Sequence, residues 1–260
     1  MTELQKKVIN NTAPVTLSEC VYMGDGTKNT VKDEIQNLKN NVSSGSTSTK
    51  YNGKKILWLG DSISAYNSEN GSTYPKLVCD SLGSILTNMA SSGGNSNRMR
   101  GILQGTISGY NHVDDISQYD YVFMMIGHNC NTEGMNPSVK NVSINDVPID
   151  GTDYTTYDDT NFYCNVASCI EYIYANNQKC KIFLITPPQS TNTTYKITTV
   201  NSRKALKELG ELYSVPVIDI YAKCGITRVT INTYTGDGTH LNNKGVQLVS
   251  DVIINYLLCH

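Results

Sequence analysis

The 260-residue sequence predicts an α/β protein in which a parallel sheet lies between two layers of helices. Apolar runs of strand length alternate along the chain with amphipathic stretches of helix length. Four of the five apolar runs are also followed by a glycine, a proline or a glycine turn. Parallel strands joined by right-handed helical crossovers then give a three-layer, flavodoxin-like fold. We expect a five-stranded sheet with the strand order 2-1-3-4-5.

The strands and the longer helices of this fold can be placed from the pattern of apolar residues. The apolar runs predict five strands, at residues 55–59, 84–87, 121–126, 181–186 and 215–220. Helical spacing of apolar residues predicts helices at 161–176 and 198–213, and a last helix that begins near Gly245. The last helix carries enough aliphatic residues to close the core.

The first strand is followed by Gly60-Asp61-Ser62, and the C-terminal region contains Asp237 and His240. A serine hydroxyl needs a neighbouring base to become a good nucleophile, and histidine serves as base and acid near neutral pH. A carboxylate orients the imidazole and stabilises its protonated form. Asp237 lies three residues before His240, so one turn would supply both groups. These residues are the parts of a nucleophilic hydrolase.

Two further segments place hydrogen-bond donors at the ends of neighbouring strands. The segment 88–94 begins with Asn88 and ends in Gly93-Gly94, and the third strand ends in Gly127-His128-Asn129. Ligands of open α/β sheets bind at the carboxyl ends of the strands. We therefore expect these segments to meet Ser62 there, with Asp61, Gly94 and His128 as candidate substrate contacts.

Taken together, the ordered blocks Gly-Asp-Ser, Asn-x-Ala-x-x-Gly, Gly-x-Asn and Asp-x-x-His resemble the SGNH hydrolases, the GDSL esterase/lipase superfamily, over residues 54–258. The resemblance implies Ser62 as nucleophile, His240 as base and Asp237 as its orienting carboxylate. It also implies an oxyanion hole made of the Ser62 and Gly93 backbone N–H groups and the Asn129 side-chain amide. It implies no cofactor.

The sequence departs from the family pattern at two positions. Ile63 follows the serine where leucine is usual, which is a conservative exchange. Cys130 follows Asn129 where the family commonly carries a supporting aspartate, so the hydrogen bonding behind Asn129 must differ. Gly94 is an alternative to Gly93 as oxyanion donor, although the spacing from Asn88 favours Gly93.

The segment 131–158 is a long polar insert beside the carboxyl end of the third strand. Inserts of this length without regular structure are commonly functional. Tyr154, Tyr157 and the pair Asp158-Asp159 are candidate sugar contacts. The alternative is a solvated loop.

The charge balance and the cysteine and histidine spacing exclude several other classes of function. Lys and Arg number 21 against 23 Asp and Glu, so nothing indicates binding to nucleic acid or to an anionic membrane. The eight cysteines show no metal-ligand spacing and are expected to be free thiols, and no metal site is expected. Neither a transmembrane segment nor a signal peptide is recognisable. We favour a secreted or virion-associated location over the cytoplasm.

Residues 1–50 form a separate appendage before the hydrolase domain at 51–260. Apolar residues at helical spacing predict a short helix near 30–42. The Ser/Thr-rich composition of 43–49 predicts a flexible linker. The helix would either pack on its own domain or assemble with copies of itself, as a trimer for example. Residues 24–35 also resemble, loosely, connector segments of bacteriophage tail-fibre and receptor-binding proteins.

The sequence therefore predicts a serine esterase that removes small acyl groups, O-acetyl groups above all, from carbohydrate. One alternative is a phage-type receptor-binding component whose hydrolase domain mainly binds glycan. The other is a lipase or thioesterase acting on longer acyl chains, although the polar insert offers no apolar lid.

Overall fold

The computed structural model describes residues 49–260 and two short strands that precede them, β1 (Val21–Tyr22) and β2 (Lys28–Asn29), which pair antiparallel. The chain divides into two units, Met1–Ser48 and Thr49–His260. The helix expected near 30–42 lies outside the described residues, as does all but the last residue of the expected linker.

The second unit is built on a five-stranded parallel sheet. Its strands, in chain order, are β3 (Lys55–Gly60), β4 (Ile85–Asn88), β5 (Tyr121–Met125), β6 (Lys181–Ile185) and β7 (Val217–Ile218). The spatial order β4-β3-β5-β6-β7 confirms the predicted 2-1-3-4-5 arrangement. The last strand is shorter than expected because Ile220 already begins a helix.

Helices follow the strands and cover the sheet. Within residues 49–260 they are α1 (Ser62–Ala65), α2 (Tyr74–Leu82), α3 (Ser96–Gln104), α4 (Phe162–Asn176), α5 (Thr193–Leu212), α6 (Ile220–Lys223), α7 (Ile231–Tyr234) and α8 (Asn243–Cys259). Helix α5 starts five residues before the predicted start, because the Asn192 side chain accepts hydrogen bonds from the N–H groups of Thr194 and Tyr195. Helices α2 and α3 were not predicted from the sequence.

The sheet buries both of its faces, as a three-layer fold requires. Alternate side chains of a strand point to opposite faces. Leu57 and Leu59 of β3 belong to a core cluster shared with α3, α4 and α5. Ile56 and Trp58 belong to a second cluster shared with α2 and α8, in which Trp58 stacks on Phe123 with ring centroids 4.8 Å apart.

The insert at 131–158 is mostly exposed, but a few of its residues are buried against the domain, namely Glu133–Met135, Val147 and Tyr157. It contains three single turns, a π-helical turn at Asn131–Met135 and 3-10 turns at Ile144–Asp146 and Tyr154–Thr156. The buried Arg100 of α3 donates hydrogen bonds to the backbone carbonyls of residues 154, 155 and 157. Because these carbonyls find a charged donor inside the fold, the end of the insert is fixed to α3.

None of the helices in residues 49–260 is both long and apolar enough to cross a membrane. The seven cysteines of the same residues are free; six are buried and Cys259 is exposed. Burial raises the pKa of the Cys79 and Cys164 thiols to about 11. These thiols therefore stay protonated and pack as small apolar groups.

Candidate active site

Ser62 lies just beyond the carboxyl end of β3, an interior strand of the sheet, and is the first residue of α1. Gly60 makes this turn feasible, because a Cβ atom there would come within 2.5 Å of the Met125 carbonyl oxygen and 2.8 Å of Ser64 Oγ. Helix α1 has only one turn. Its contribution to the site is therefore the free backbone N–H of Ser62, not the dipole of a long helix.

Asp61 and His128 lie next to the turn that carries Ser62 and are both fully buried. The Asp61 carboxylate caps α1 by accepting a hydrogen bond from the Ile63 N–H at 3.0 Å. Its other oxygen lies 3.2 Å from His128 Nδ1 and 3.4 Å from the His128 backbone nitrogen. Both residues were expected to contact substrate. Instead they are buried and hydrogen-bonded to each other, and so they connect the ends of β3 and β5.

His240 and Asp237 complete a chain of hydrogen bonds that starts at Ser62. Ser62 Oγ lies 3.0 Å from His240 Nε2, and His240 Nδ1 lies 2.7 Å from Asp237 Oδ2. Since Asp237 can only accept, Nδ1 carries the proton and Nε2 is free to accept from the serine hydroxyl. The structure therefore brings together the three residues that the sequence pattern nominated, in the order that base catalysis requires.

The turn that carries His240 is stabilised by hydrogen bonds within the turn and by hydrogen bonds from the segment that follows β6. The second Asp237 oxygen accepts hydrogen bonds from the backbone N–H groups of Thr239, at 3.0 Å, and His240, at 2.7 Å. Beyond the end of β6, Ser190 Oγ lies 2.7 Å from Thr239 Oγ1, and the Thr191 N–H donates to the Gly238 carbonyl. The turn that carries the imidazole is thus fixed by local hydrogen bonds and by tertiary hydrogen bonds from Ser190 and Thr191.

These contacts also set the charge of Asp237. Burial alone would raise its pKa, but hydrogen bonds from the His240 side chain and from the His240 and Thr239 backbone outweigh burial and hold the pKa below its usual range. Asp237 is therefore ionised at neutral pH, as a carboxylate that stabilises an imidazolium must be.

Three hydrogen-bond donors lie around this serine at the ends of β3, β4 and β5. Within residues 49–260 the backbone N–H groups of Ser62 and Gly93 have no acceptor. Gly93 has a φ of 67°, which favours glycine. The Gly94 N–H, by contrast, donates to the Ser91 carbonyl. Gly93 is thus the free donor of the glycine pair.

Gly94 also fixes the third donor. Its carbonyl accepts a hydrogen bond from Asn129 Nδ2 at 3.0 Å, which orients that amide and leaves the second Nδ2 hydrogen for another acceptor. Gly94 is buried and was expected to contact substrate. Its carbonyl instead holds Asn129.

A buried carboxylate that the sequence analysis missed supports the loop containing Gly93. Glu133 accepts hydrogen bonds from the Ser96 N–H at 3.0 Å, from Ser96 Oγ at 2.6 Å and from the Asn97 N–H at 2.9 Å. It lies three residues after Cys130, which stands where the family has aspartate. Burial and the neighbouring Glu133 raise the pKa of Cys130 well above its usual range, so that thiol cannot replace the carboxylate. In this chain the hydrogen bonds to that loop come from Glu133.

The two tyrosines of the insert, Tyr154 and Tyr157, contact other parts of the domain. Tyr157 is 5% exposed, and its hydroxyl donates to the Pro148 carbonyl or to Glu171. Tyr154 packs edge-on against Tyr172 in the core. The burial of Tyr157 argues against a sugar contact at that residue, and the sugar contact expected at the partly buried Tyr154 stays a prediction. Among the described residues, no group of three or more His, Cys, Asp or Glu side chains could hold a metal ion.

The three-layer fold and the paired serine, imidazole and carboxylate at its strand ends define a serine hydrolase of the α/β class. The model of the GDSL-like lipase/acylhydrolase family matches residues 58–248, and the chain belongs to this family. The resemblance to the SGNH hydrolases is thereby confirmed. The match begins at Trp58, so the resemblance of residues 24–35 to phage connectors stays a hypothesis.

Solved structures similar to this chain share the fold at low sequence identity. They include the lipase/acylhydrolase from Enterococcus faecalis, with 22% identity, a TM-score of 0.52, and coverage of 79% of this chain and 96% of the other. A catalytic mutant of an acetylxylan esterase from Geobacillus stearothermophilus has 16% identity, a TM-score of 0.54, and coverage of 79% and 94%. The α/β hydrolase LAE5 from the metagenome of Lake Arreo has 16% identity, a TM-score of 0.54, and coverage of 80% and 96%. No curated protein matches the sequence.

Proposed function

We propose that this protein is a serine esterase that removes small acyl groups, most of all O-acetyl groups, from carbohydrate. The observation that carries the proposal is the unbroken hydrogen-bond chain from Ser62 Oγ through His240 to Asp237, beside the free N–H groups of Ser62 and Gly93. An ester carbonyl in contact with Ser62 Oγ would have a nucleophile, a base and oxyanion donors within reach.

The reaction would run in two steps. His240 Nε2 takes the Ser62 proton as Oγ attacks the ester carbon, and the carbonyl oxygen becomes an oxyanion bound by the Ser62 and Gly93 N–H groups and the free hydrogen of Asn129 Nδ2. The imidazolium then protonates the leaving alcohol, which leaves an acyl-serine. Water, deprotonated by His240, attacks that acyl group and regenerates the serine.

Two observations support a small acyl group and a sugar acceptor. The insert beside the site consists mainly of polar residues, and its exposed apolar side chains Val139 and Ile149 stand ten positions apart, so it offers no continuous apolar lid for a long acyl chain. One structurally similar protein is an acetylxylan esterase. A lipase or thioesterase reading would need an apolar channel beside Ser62, and no observation favours one.

The proposal is tested first by hydrolysis of p-nitrophenyl acetate by the wild type and by Ser62→Ala. We expect the substitution to reduce kcat by about a thousandfold or more, since it removes the nucleophile. Equal rates in the two proteins would overturn the assignment of Ser62. Ser64→Ala is a suitable control, because Ser64 lies on the same turn but bonds to the Tyr74 hydroxyl instead of His240.

The acyl preference is tested by comparing acetate and octanoate esters of one alcohol. A higher kcat/KM on acetate is the expected result, because the insert beside the site is mainly polar. A clear preference for octanoate would replace the carbohydrate esterase proposal with the lipase alternative. Acetate release from acetylated polysaccharides, with Ser62→Ala as the blank, then identifies the acceptor.

A further inference from the structure

Tyr66 is an aromatic residue in contact with the candidate base that neither the motifs nor the family pattern assigns. It directly follows α1, four residues after Ser62, and its N–H donates to the Ser62 carbonyl. Its ring lies against the imidazole of His240, with centroids 5.0 Å apart and planes inclined by 37°. The residue is 39% exposed, so part of its ring faces solvent at the site.

The chemistry of the reaction decides which part of a substrate would lie beside this ring. The proton that His240 receives from Ser62 must be given to the leaving alcohol oxygen, so that oxygen approaches His240 Nε2. The alcohol portion of the ester therefore occupies the space next to the imidazole. Because the Tyr66 ring contacts the same imidazole, we expect it to border the alcohol portion of the substrate and not the acyl group.

The Tyr66 hydroxyl is also available. No residue in the described part of the chain forms a hydrogen bond with it. Burial, the Asp237 carboxylate and the Tyr195 phenol raise the pKa of Tyr66, so the hydroxyl is neutral and can both donate and accept at neutral pH. An apolar ring face with a polar tip suits a molecule that has a C–H face and hydroxyl edges.

We propose that Tyr66 is a specificity-determining residue whose ring packs against the pyranose ring of the leaving alcohol. The inference rests on the esterase function proposed above and adds to it the class of acceptor. A pyranose exposes a face of C–H groups that packs on an aromatic ring, whereas its hydroxyls lie at the edge and can reach the phenol. A short aliphatic alcohol has too little surface to gain from this contact.

The test measures kcat/KM for a monoacetylated methyl pyranoside and for ethyl acetate, in the wild type and in Tyr66→Ala, Tyr66→Phe and Tyr66→Leu. The informative quantity is the pyranoside to ethyl acetate ratio. We expect this ratio to fall about tenfold in Tyr66→Ala, mainly through KM for the pyranoside, and to fall less in Tyr66→Phe, which keeps the ring. Tyr66→Leu keeps apolar bulk and should lie between them.

A matched control is present elsewhere in the chain. Tyr256 stacks on His260, with centroids 4.4 Å apart, at the end of α8. Tyr256→Ala removes a comparable tyrosine–histidine contact and should leave the ratio unchanged. An unchanged ratio in Tyr66→Ala would overturn the proposal. If kcat/KM then fell equally for both substrates, Tyr66 would only pack on His240. If the wild type hydrolyses neither ester, the proposed function itself fails, which is a separate outcome.

Discussion

Asp237 has two tasks for His240, and each uses a different carboxylate oxygen. One oxygen binds Nδ1 of the imidazole, and the other accepts the backbone N–H groups of residues 239 and 240. The first contact selects the tautomer, whereas the second fixes the turn. The Asp237 side chain is 57% exposed, so its ion pair with His240 contributes little to stability. Its main effect is to orient the imidazole.

Replacing Asp237 by Asn separates these tasks. The amide oxygen can still accept the backbone hydrogen bonds, but no ionised oxygen remains to hold Nδ1–H and stabilise the imidazolium. We expect kcat on p-nitrophenyl acetate to fall about a thousandfold or more, with little change in thermal stability. Asp114→Asn, at a side chain that is 88% exposed, is the control. An Asp237→Asn enzyme within tenfold of the wild type would contradict the assigned role.

At the scale of secondary structure elements, the site depends on loops that tie strand ends to one another. The Glu133 carboxylate joins the π-helical turn after β5 to the first turn of α3, and so fixes the segment that follows Gly93. Asn165 of α4 reinforces this connection, since its Nδ2 donates to Ser96 Oγ at 3.1 Å. Hydrogen-bond donors of an oxyanion hole must be held in place before the reaction to be effective.

Glu133→Gln should therefore affect catalysis through the position of Gly93. Gln retains the shape but presents an N–H group to donors that need an acceptor, so the loop should shift. We expect kcat to fall about tenfold to a hundredfold while KM changes little, because the oxyanion forms only in the transition state. A fall in thermal stability with kcat unchanged would show that Glu133 holds only the fold.

A second connection between elements predicts a dependence of stability on pH. Arg203 of α5 forms a two-pronged ion pair with Asp219 at the end of β7. Burial would raise the pKa of Asp219, but hydrogen bonds from Arg203 and Thr186 lower it overall. A lowered carboxyl pKa stabilises the fold above the unfolded value of about 4, and this stabilisation is lost as pH falls through the folded pKa.

Asp219→Asn should therefore cost about 2 kcal/mol of unfolding free energy at pH 7, and the difference from the wild type should shrink below about pH 4. Denaturant unfolding of both proteins at pH 7 and at pH 3 measures it. Asp80→Asn breaks the exposed Lys76–Asp80 pair and should have almost no effect at either pH. A constant Asp219→Asn difference across this range would show that the charge of Asp219 contributes nothing.

The sequence was sufficient for the sheet order and for the set of residues that meet at the strand ends, because both follow from local patterns. Apolar runs locate β3, β5 and β6, and parallel strands bring their carboxyl ends to one edge. The supporting contacts were not predictable in the same way. Glu133 reaches Ser96 across 37 positions, and Tyr66 shows no spacing signal beyond its place after the nucleophile. The sequence pattern also does not show which residues of a motif or insert are buried. Asp61, His128 and Tyr157 were expected to contact substrate, but the structure buries all three.

At the scale of the whole molecule, the candidate site lies within residues 49–260. All the contacts of Ser62, His240, Gly93 and Asn129 described above are made inside that part of the chain. The division into an appendage at 1–50 and a hydrolase domain at 51–260 is our proposal, as is self-association through the appendage. We assign catalysis to the second part and assembly to the first.

Removing residues 1–48 tests both assignments. The shortened chain should keep kcat/KM on p-nitrophenyl acetate within about twofold, since the hydrogen bonds of Ser62, His240 and Asn129 described above lie within residues 49–260. Light scattering of the full chain should give a mass that is a multiple of the monomer, and the shortened chain should give a monomer. Monomers in both cases would remove the assembly proposal, whereas a large loss of activity would show that the appendage contributes to the site.

The central claim is that Ser62, activated by His240, forms a covalent acyl intermediate. The most direct measurement is mass spectrometry after reaction with a fluorophosphonate, which forms a stable adduct with an activated serine. We predict one adduct per chain, on the peptide that contains Ser62, no adduct in Ser62→Ala and much slower labelling in His240→Ala. Equal labelling of the wild type and Ser62→Ala would contradict this claim. So would an enzyme that is fully labelled on Ser62 and still hydrolyses the ester at the unlabelled rate.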